Sequence, residues 1–342
     1  MIIEHTTRKH ARLSASRADR FINCPGSVAL ESRMPYEPPG EAAAIGTAIH
    51  ELSEAMIRGD ALIQEDYPDE QWDMATEYAS WVNDMAKGAA VKMIEVNVDD
   101  GLQSIHPALG GTADAVIIKD RTLHVIDLKT GRVPVKADNN LQLLTYATGV
   151  ARKLKAPSDV KVVLHIYQPK TGHSSWETDV NRLINHGEDL KKAAELIDQG
   201  NAPTNPGPSQ CKYCRAKSIC PSMLAKASEA ARSDFKVDTP QQEVIVDEQL
   251  LDLAMQMQDW SQAVIDHVKR IIADGGEVNG WTLKQGRKMR FWSAPAMVEE
   301  ALRDVPEAWE LKSVAAISKL NLDLPEGLIG EKISAPSLAR AK

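Results

Sequence analysis

Residues 110–129 read Gly-Gly-Thr-Ala-Asp-Ala-Val-Ile-Ile-Lys-Asp-Arg-Thr-Leu-His-Val-Ile-Asp-Leu-Lys. The paired glycines open an apolar, β-branched run over 112–118, and Lys119-Asp120-Arg121-Thr122 reverses the chain into a second run over 123–129. Alternation in the second strand puts Asp127 and Lys129 on one face of the sheet. The tight turn lets Asp114, on the first strand, come up beside them. Two carboxylates and a lysine around one point, joined by an imidazole, suit a hard cation such as Mg²⁺ or Mn²⁺ with a positive charge beside it. Taken alone, Asp-x-Lys is a weak signal, more often the mark of an ion pair on an edge strand.

Around this hairpin the pattern is mixed α/β. Residues 41–60 carry Ala44, Ile45, Ala48, Ile49, Leu52 and Met56 at helical spacing and stop at Gly59. Residues 70–88 give a second, acidic helix with Trp72, Ala75, Tyr78, Ala79, Val82 and Met85 as its buried stripe, and 91–98 alternate as a strand. A helix over about 139–153, a strand over 160–167 and a long helix near 180–199 follow. The expected architecture is an α/β core with a mixed central sheet flanked by helices. Past the proline-rich loop Asn201–Ser209 the character changes beyond Ser233. A helix over about 247–274 ends at Gly275-Gly276, a hairpin spans 281–292, and weaker helices fall near 296–303 and 313–320. The expected organisation is a core domain over 1–234 with an acidic helical insertion at about 51–90, then a mostly helical accessory domain over 235–342.

The 342 residues are 43% apolar and 26% charged, enough for a substantial core, and the net charge of −8 excludes a uniformly basic coat for nucleic acid. No apolar run approaches the ~18 residues of a membrane span, and the first ten residues lack the apolar stretch of a secretory signal. A cytoplasmic protein without a membrane partner is expected. The charge is uneven. Residues 51–100 hold 13 acids and 3 bases, whereas 119–155 hold 8 bases and 3 acids and 1–20 hold 5 bases and 2 acids. An acidic total therefore hides local basic faces able to meet a polyanion.

The four cysteines are Cys24, Cys211, Cys214 and Cys220, the last three as Cys-x2-Cys-x5-Cys followed by Pro221. Four sulfurs complete a ligand set for zinc or for a [4Fe–4S] cluster, and a cytoplasmic chain is a poor setting for disulfides. Either metal would clasp the start of the core domain to a late loop.

Together these blocks resemble the RecB-like branch of the PD-(D/E)XK nuclease superfamily, in particular its iron–sulfur members such as the AddB nuclease domain and the CRISPR adaptation nucleases. Ser14-Ala15-Ser16-Arg17, running on to Phe21 and Cys24-Pro25, is similar to the N-terminal cluster block. Gly46-Thr47-Ala48-Ile49-His50 is similar to the Gly-x-x-x-His motif, Gly111-Thr112-Ala113-Asp114 to Gly-x-x-Asp, and Asp127-Leu128-Lys129 to Asp-x-Lys. Gln142-Leu143-Leu144-Thr145-Tyr146 is similar to Gln-x-x-x-Tyr, and Cys211, Cys214 and Cys220-Pro221 complete the set, all in the family's order over residues 10–225.

The resemblance implies a restriction-endonuclease-like core. It makes His50, Asp114 and Asp127 ligands of Mg²⁺ or Mn²⁺, with the Leu128 backbone carbonyl as a further ligand and Lys129 as the catalytic lysine. Gln142 and Tyr146 become contacts to DNA, and the four cysteines ligands of a [4Fe–4S] cluster, with zinc as the alternative. The implied activity is that of a DNA exonuclease acting on single strands or free ends, in a phage or prophage setting of recombination, replication or repair. Glu51 and Glu95 are minor acidic candidates, and His106, His124, His165 and His173 are assigned no role. The rivals are a non-catalytic DNA-binding protein on the same fold and a zinc-stapled RNA nuclease. No Gly-x-x-x-x-Gly-Lys-[Ser/Thr] occurs, so a helicase or recombination partner would be a separate protein. In 281–292, Lys288, Arg290 and Trp292 fall on one face of the expected hairpin, a cationic and aromatic surface suited to single-stranded DNA.

Overall fold

The computed structural model describes residues 11–36, 38–234 and 248–283. The helices expected near 296–303 and 313–320 lie outside the described residues, as do Lys288, Arg290 and Trp292. Two compact units are distinguished, Met1–Thr282 and Leu283–Lys342.

The first unit runs β1 (Leu13–Ser14), α1 (Ala18–Asn23), α2 (Ser27–Glu31), α3 (Glu41–Arg58), α4 (Asp69–Met85), β2 (Val91–Asn97), α5 (Asp99–Gln103) and β3 (Leu109–Gly110). It continues with β4 (Thr112–Lys119), β5 (Thr122–Leu128), α6 (Leu141–Leu154), β6 (Lys161–Gln168), β7 (Gly172–Asp179) and α7 (Val180–Asp198). Then come α8 (Pro208–Lys212), α9 (Pro221–Asp234) and α10 (Glu248–Ala273), the last packing against α8 and the short turn Lys217–Ile219. The expected mixed α/β core is present. A five-stranded sheet has the order β2-β4-β5-β6-β7, antiparallel throughout except for the parallel pair β5–β6. A parallel pair needs a crossover, and α6 supplies it.

Alternation along the strands divides the interior in two. Leu123 and Val125 of β5 face a core shared with α1, α5, α6 and α7, while Ile126 and Leu128 face a second core built from α3 and α4. β6 is buried from Val162 through Gln168, as a central strand covered on both sides must be. The helix ends follow local chemistry. Asn140 caps α6 by accepting from the Leu143 amide at 3.1 Å, Asp179 caps α7 by accepting from the Arg182 amide at 2.8 Å, and α3 stops where Gly59 takes φ 83°. β7 is the element the sequence pattern does not announce. Only Trp176 gives it a large apolar side chain, and its strand character comes from its ladder with β6.

Candidate active site and cysteine clasp

The β4–β5 register pairs Ala115 with Ile126, so the next residues along put Asp114 opposite Asp127. Asp114 Oδ2 accepts from the Leu128 amide at 2.7 Å, locking the two strand ends together. Lys129 Nζ stands 2.7 Å from Asp127 Oδ2 as an ion pair, and it donates to Gln142 Oε1 at 2.9 Å. The Gln142 amide nitrogen in turn donates to Asp127 Oδ1 at 2.9 Å and to the Tyr146 hydroxyl at 3.0 Å. Gln142 and Tyr146, one turn apart on α6, thus brace the Asp127–Lys129 pair. From the opposite layer, His50 on α3 brings Nδ1 to 3.5 Å from Asp114 Oδ2.

Two motif glycines have a steric reason. A Cβ on Gly46 would come within 3.1 Å of Thr130 Oγ1, in the loop after Lys129, and one on Gly111 would meet Ala15 and Tyr146 at 3.0 Å. Both let backbone approach the site more closely than a larger residue allows.

Electrostatically the two carboxylates diverge. Burial works against the charge on Asp114, but His50, the Leu128 amide and Lys129 hold it below the usual carboxylate range. Burial pushes Asp127 up, with Asp114 adding to the push and Lys129 only partly countering it. Burial also opposes the charge on His50, yet Asp114 raises it to about 9. Lys129, likewise buried, is raised by Asp127 and then Asp114. Around neutral pH the imidazole and the ammonium are therefore charged.

His50, Glu95 and Asp114 can bring one ligand atom each within 4.8 Å of one another. Glu95, a minor candidate by sequence, sits in β2 at φ 51°, between the ladder pairs Ile94–Ala115 and Val96–Ala113. A non-glycine residue in the left-handed region inside a strand is rare, and here it accompanies a carboxylate at the site. Tyr78 of α4 is a further arrival. Its hydroxyl is buried without a hydrogen-bond partner, and burial together with Asp114, Asp127 and Glu95 keeps it protonated. In the sequence it is one more member of an apolar stripe, and nothing there separates it from Val82 or Met85.

Cys24, Cys211, Cys214 and Cys220 line one small pocket with Ser27, Thr204 and Met223, and all four are free thiols. The Asn205 amide donates to Cys24 Sγ at 3.2 Å. Burial raises the Cys24 thiol and pushes Cys214 up to about 12, with Glu31 adding to the latter. The loop is also tied down by charge: Glu31 accepts from the Arg215 amide at 3.0 Å and pairs with Arg20. The four cysteines that sequence joins across the chain are together in space.

Residues 10–324 match the model of a family described as a protein of unknown function, DUF2800. The chain belongs to the DUF2800 family. Among solved structures, the DUF2800 chain is similar to a candidate exonuclease from Eubacterium rectale, at 12% identity and TM-score 0.35 over 68% of this chain and 93% of that one. It is similar to SSO0001 at 18% identity and TM-score 0.31, over 62% and 87%, and to LHK-Exo in complex with dAMP at 10% and 0.26, over 65% and 95%. At such scores the superpositions assign no activity to the DUF2800 chain. Among its described residues no helix is long and apolar enough to cross a membrane.

Proposed function

We propose that the protein is a nuclease that hydrolyses phosphodiester bonds of DNA with Mg²⁺ or Mn²⁺. The observation that carries the reading is the convergence of His50, Asp114, Asp127 and Lys129, with Glu95 alongside, at one end of the β4–β5 hairpin. Carboxylate oxygens, one imidazole and the Leu128 carbonyl make a donor set for a hard divalent ion, and such an ion would offset the burial and the Asp114 repulsion that raise Asp127. His50 must be neutral to act as a ligand, so binding displaces the proton that Asp114 otherwise holds on it. When bound, the ion supplies polarisation of the phosphate and a lowered pKa for the attacking water. Lys129, charged across the neutral range, donates to the oxygen on which negative charge develops. Gln142 keeps that ammonium and Asp127 in register, and Tyr146 anchors the Gln142 amide.

DNA as the substrate, single strands or free ends as its form, and a role in recombination, replication or repair rest on the resemblance of the motif blocks. The region over 235–342, with Lys288, Arg290 and Trp292, is read as an accessory single-strand contact. The cysteines are read as ligands of a [4Fe–4S] cluster that staples the core domain. The choice of cluster over zinc rests on the resemblance of the cysteine blocks. Cleavage of single-stranded DNA, duplex DNA and RNA with Mg²⁺ or Mn²⁺ tests the reading. Asp127→Ala and Lys129→Ala are each expected to abolish cleavage while leaving the fold and the cysteine clasp intact, and full activity in either variant refutes the site.

A further inference from the structure

A cavity of about 550 Å³ opens between α1, α2 and the C-terminal end of α7, apart from the carboxylate site. Arg12, Arg17, Arg20 and Arg215 line it, together with Ser27 and Glu31. Four guanidiniums outnumber the Glu31 carboxylate in the wall and the Asp198 carboxylate paired with Arg12, which leaves a net positive face. Arg20 and Arg215 both turn onto Glu31, and Arg12 pairs with Asp198 at 2.8 Å through side chains that remain about half exposed. Arg17 has no ion-pair partner among the described residues and stands exposed. A concave, low-dielectric wall focuses the field of such charges, and the guanidinium fork matches phosphate oxygens in pairs.

We infer that this cavity binds a backbone phosphate of a single-stranded nucleic acid at a second site outside the catalytic centre. The inference deepens the proposed nuclease function and rests on it for the identity of the ligand. The connection between the two sites is local. Ala15, two residues before Arg17 in the same turn, packs where Gly111 and Tyr146 leave room, so the Arg17 turn lies directly against elements that frame the carboxylates.

The test is binding of a fluorescein-labelled single-stranded oligonucleotide to the full chain in EDTA, followed by anisotropy across a titration from about 50 to about 200 mM NaCl. Arg17→Ala is expected to weaken binding several-fold at the low-salt end and to reduce the slope of log K against log[salt] by about 1, the signature of one lost phosphate contact. Arg17→Lys, which keeps the charge, is expected to retain the slope. Arg17 is exposed, so neither variant threatens the fold. Affinity and slope equal to wild type in Arg17→Ala overturn the inference, as does a wild-type chain that binds no single strand. Its fate is separable from that of the nuclease reading. A chain that shows the Arg17-dependent slope but cleaves nothing with Mg²⁺ or Mn²⁺ keeps the phosphate site and loses the activity, whereas a chain that cleaves with an Arg17-independent slope does the reverse.

Discussion

Three imidazoles from neighbouring strands form a row under α4: His124 Nδ1 lies 3.0 Å from His165 Nε2, and His165 Nδ1 lies 3.0 Å from His173 Nε2. Trp81 leans on His165 and His173 with centroids at 5.7 and 4.9 Å, and Tyr167, whose hydroxyl donates to Glu77, closes the other side. The charges that reach the row are cationic, from Lys119 and Lys161 onto His124. His165 is the buried middle member, and burial, then His124 and His173, depresses it to about 3 from an ordinary 6.5. The unfolded chain therefore takes up a proton below about pH 6.5 that the folded chain refuses until about pH 3, so stability falls with pH through that window and is flat above it. At about pH 5 the loss from this one group is roughly 1.36 kcal/mol times the distance to 6.5, or about 2 kcal/mol. The figure is insensitive to the folded value as long as that lies near 3 or 4. Urea unfolding at about pH 7.5 and about pH 5 measures it in wild type and in His165→Leu. The pH-dependent loss is expected to be smaller by about 2 kcal/mol in the variant, whatever its absolute stability. His50 titrates in the opposite sense, being raised, but it is common to both proteins and cancels. An unchanged pH-dependent loss in His165→Leu would refute the buried, neutral imidazole.

Gly101→Ala puts a methyl 1.9 Å from the Gly149 carbonyl oxygen, backbone against backbone between α5 and α6, and is expected to cost about 3 kcal/mol in urea unfolding. An unmoved midpoint contradicts the close approach of the two helices. Cys24→Ser removes one corner of the clasp and is expected to abolish the brown colour of thiolate-bound iron and to lower the melting temperature together. A colourless wild-type protein, prepared without oxygen and carrying stoichiometric zinc, contradicts the cluster.

The hairpin over 112–128 is legible because glycines, β-branched residues and a polar turn all agree there, and its alternation correctly puts Asp127 and Lys129 together. The helices over 41–58, 69–85, 141–154 and 180–198 are legible for the same reason, each carrying an apolar stripe, with Gly59, Asn140 and Asp179 as the stop or cap of three of them. Periodicity gives the face of a residue but not its partner across the ladder. The histidine row depends on the register of three strands at once, one of them β7, which has little apolar character of its own. Glu95 and Tyr78 are hidden differently. The first depends on a left-handed backbone within a strand, the second on which member of a buried stripe points at the carboxylates.

The candidate site draws on both cores, and this limits how it can fail. Gln142 and Tyr146 come from α6, whose neighbours Leu143, Leu144 and Ala147 belong to the core on one face of the sheet. His50 comes from α3, between Ile49 and Leu52 of the core on the other face. Asp114 and Asp127 belong to the strands between them, bound to each other through the Leu128 amide. Opening α3 and α4 alone would remove the imidazole and the Tyr78 hydroxyl while the Asp127–Lys129–Gln142 network kept its bonds, since none of those bonds involves the second layer. Such an opening releases Asp114 from the charge that keeps it ionised and leaves two adjacent buried carboxylates with Lys129 as their remaining cation. A divalent ion held, as proposed, by residues from both layers would join them across the sheet. Occupancy of the carboxylate site and closure of the α3–α4 layer would thereby be one equilibrium, because an ion that binds only the closed arrangement stabilises that arrangement by mass action.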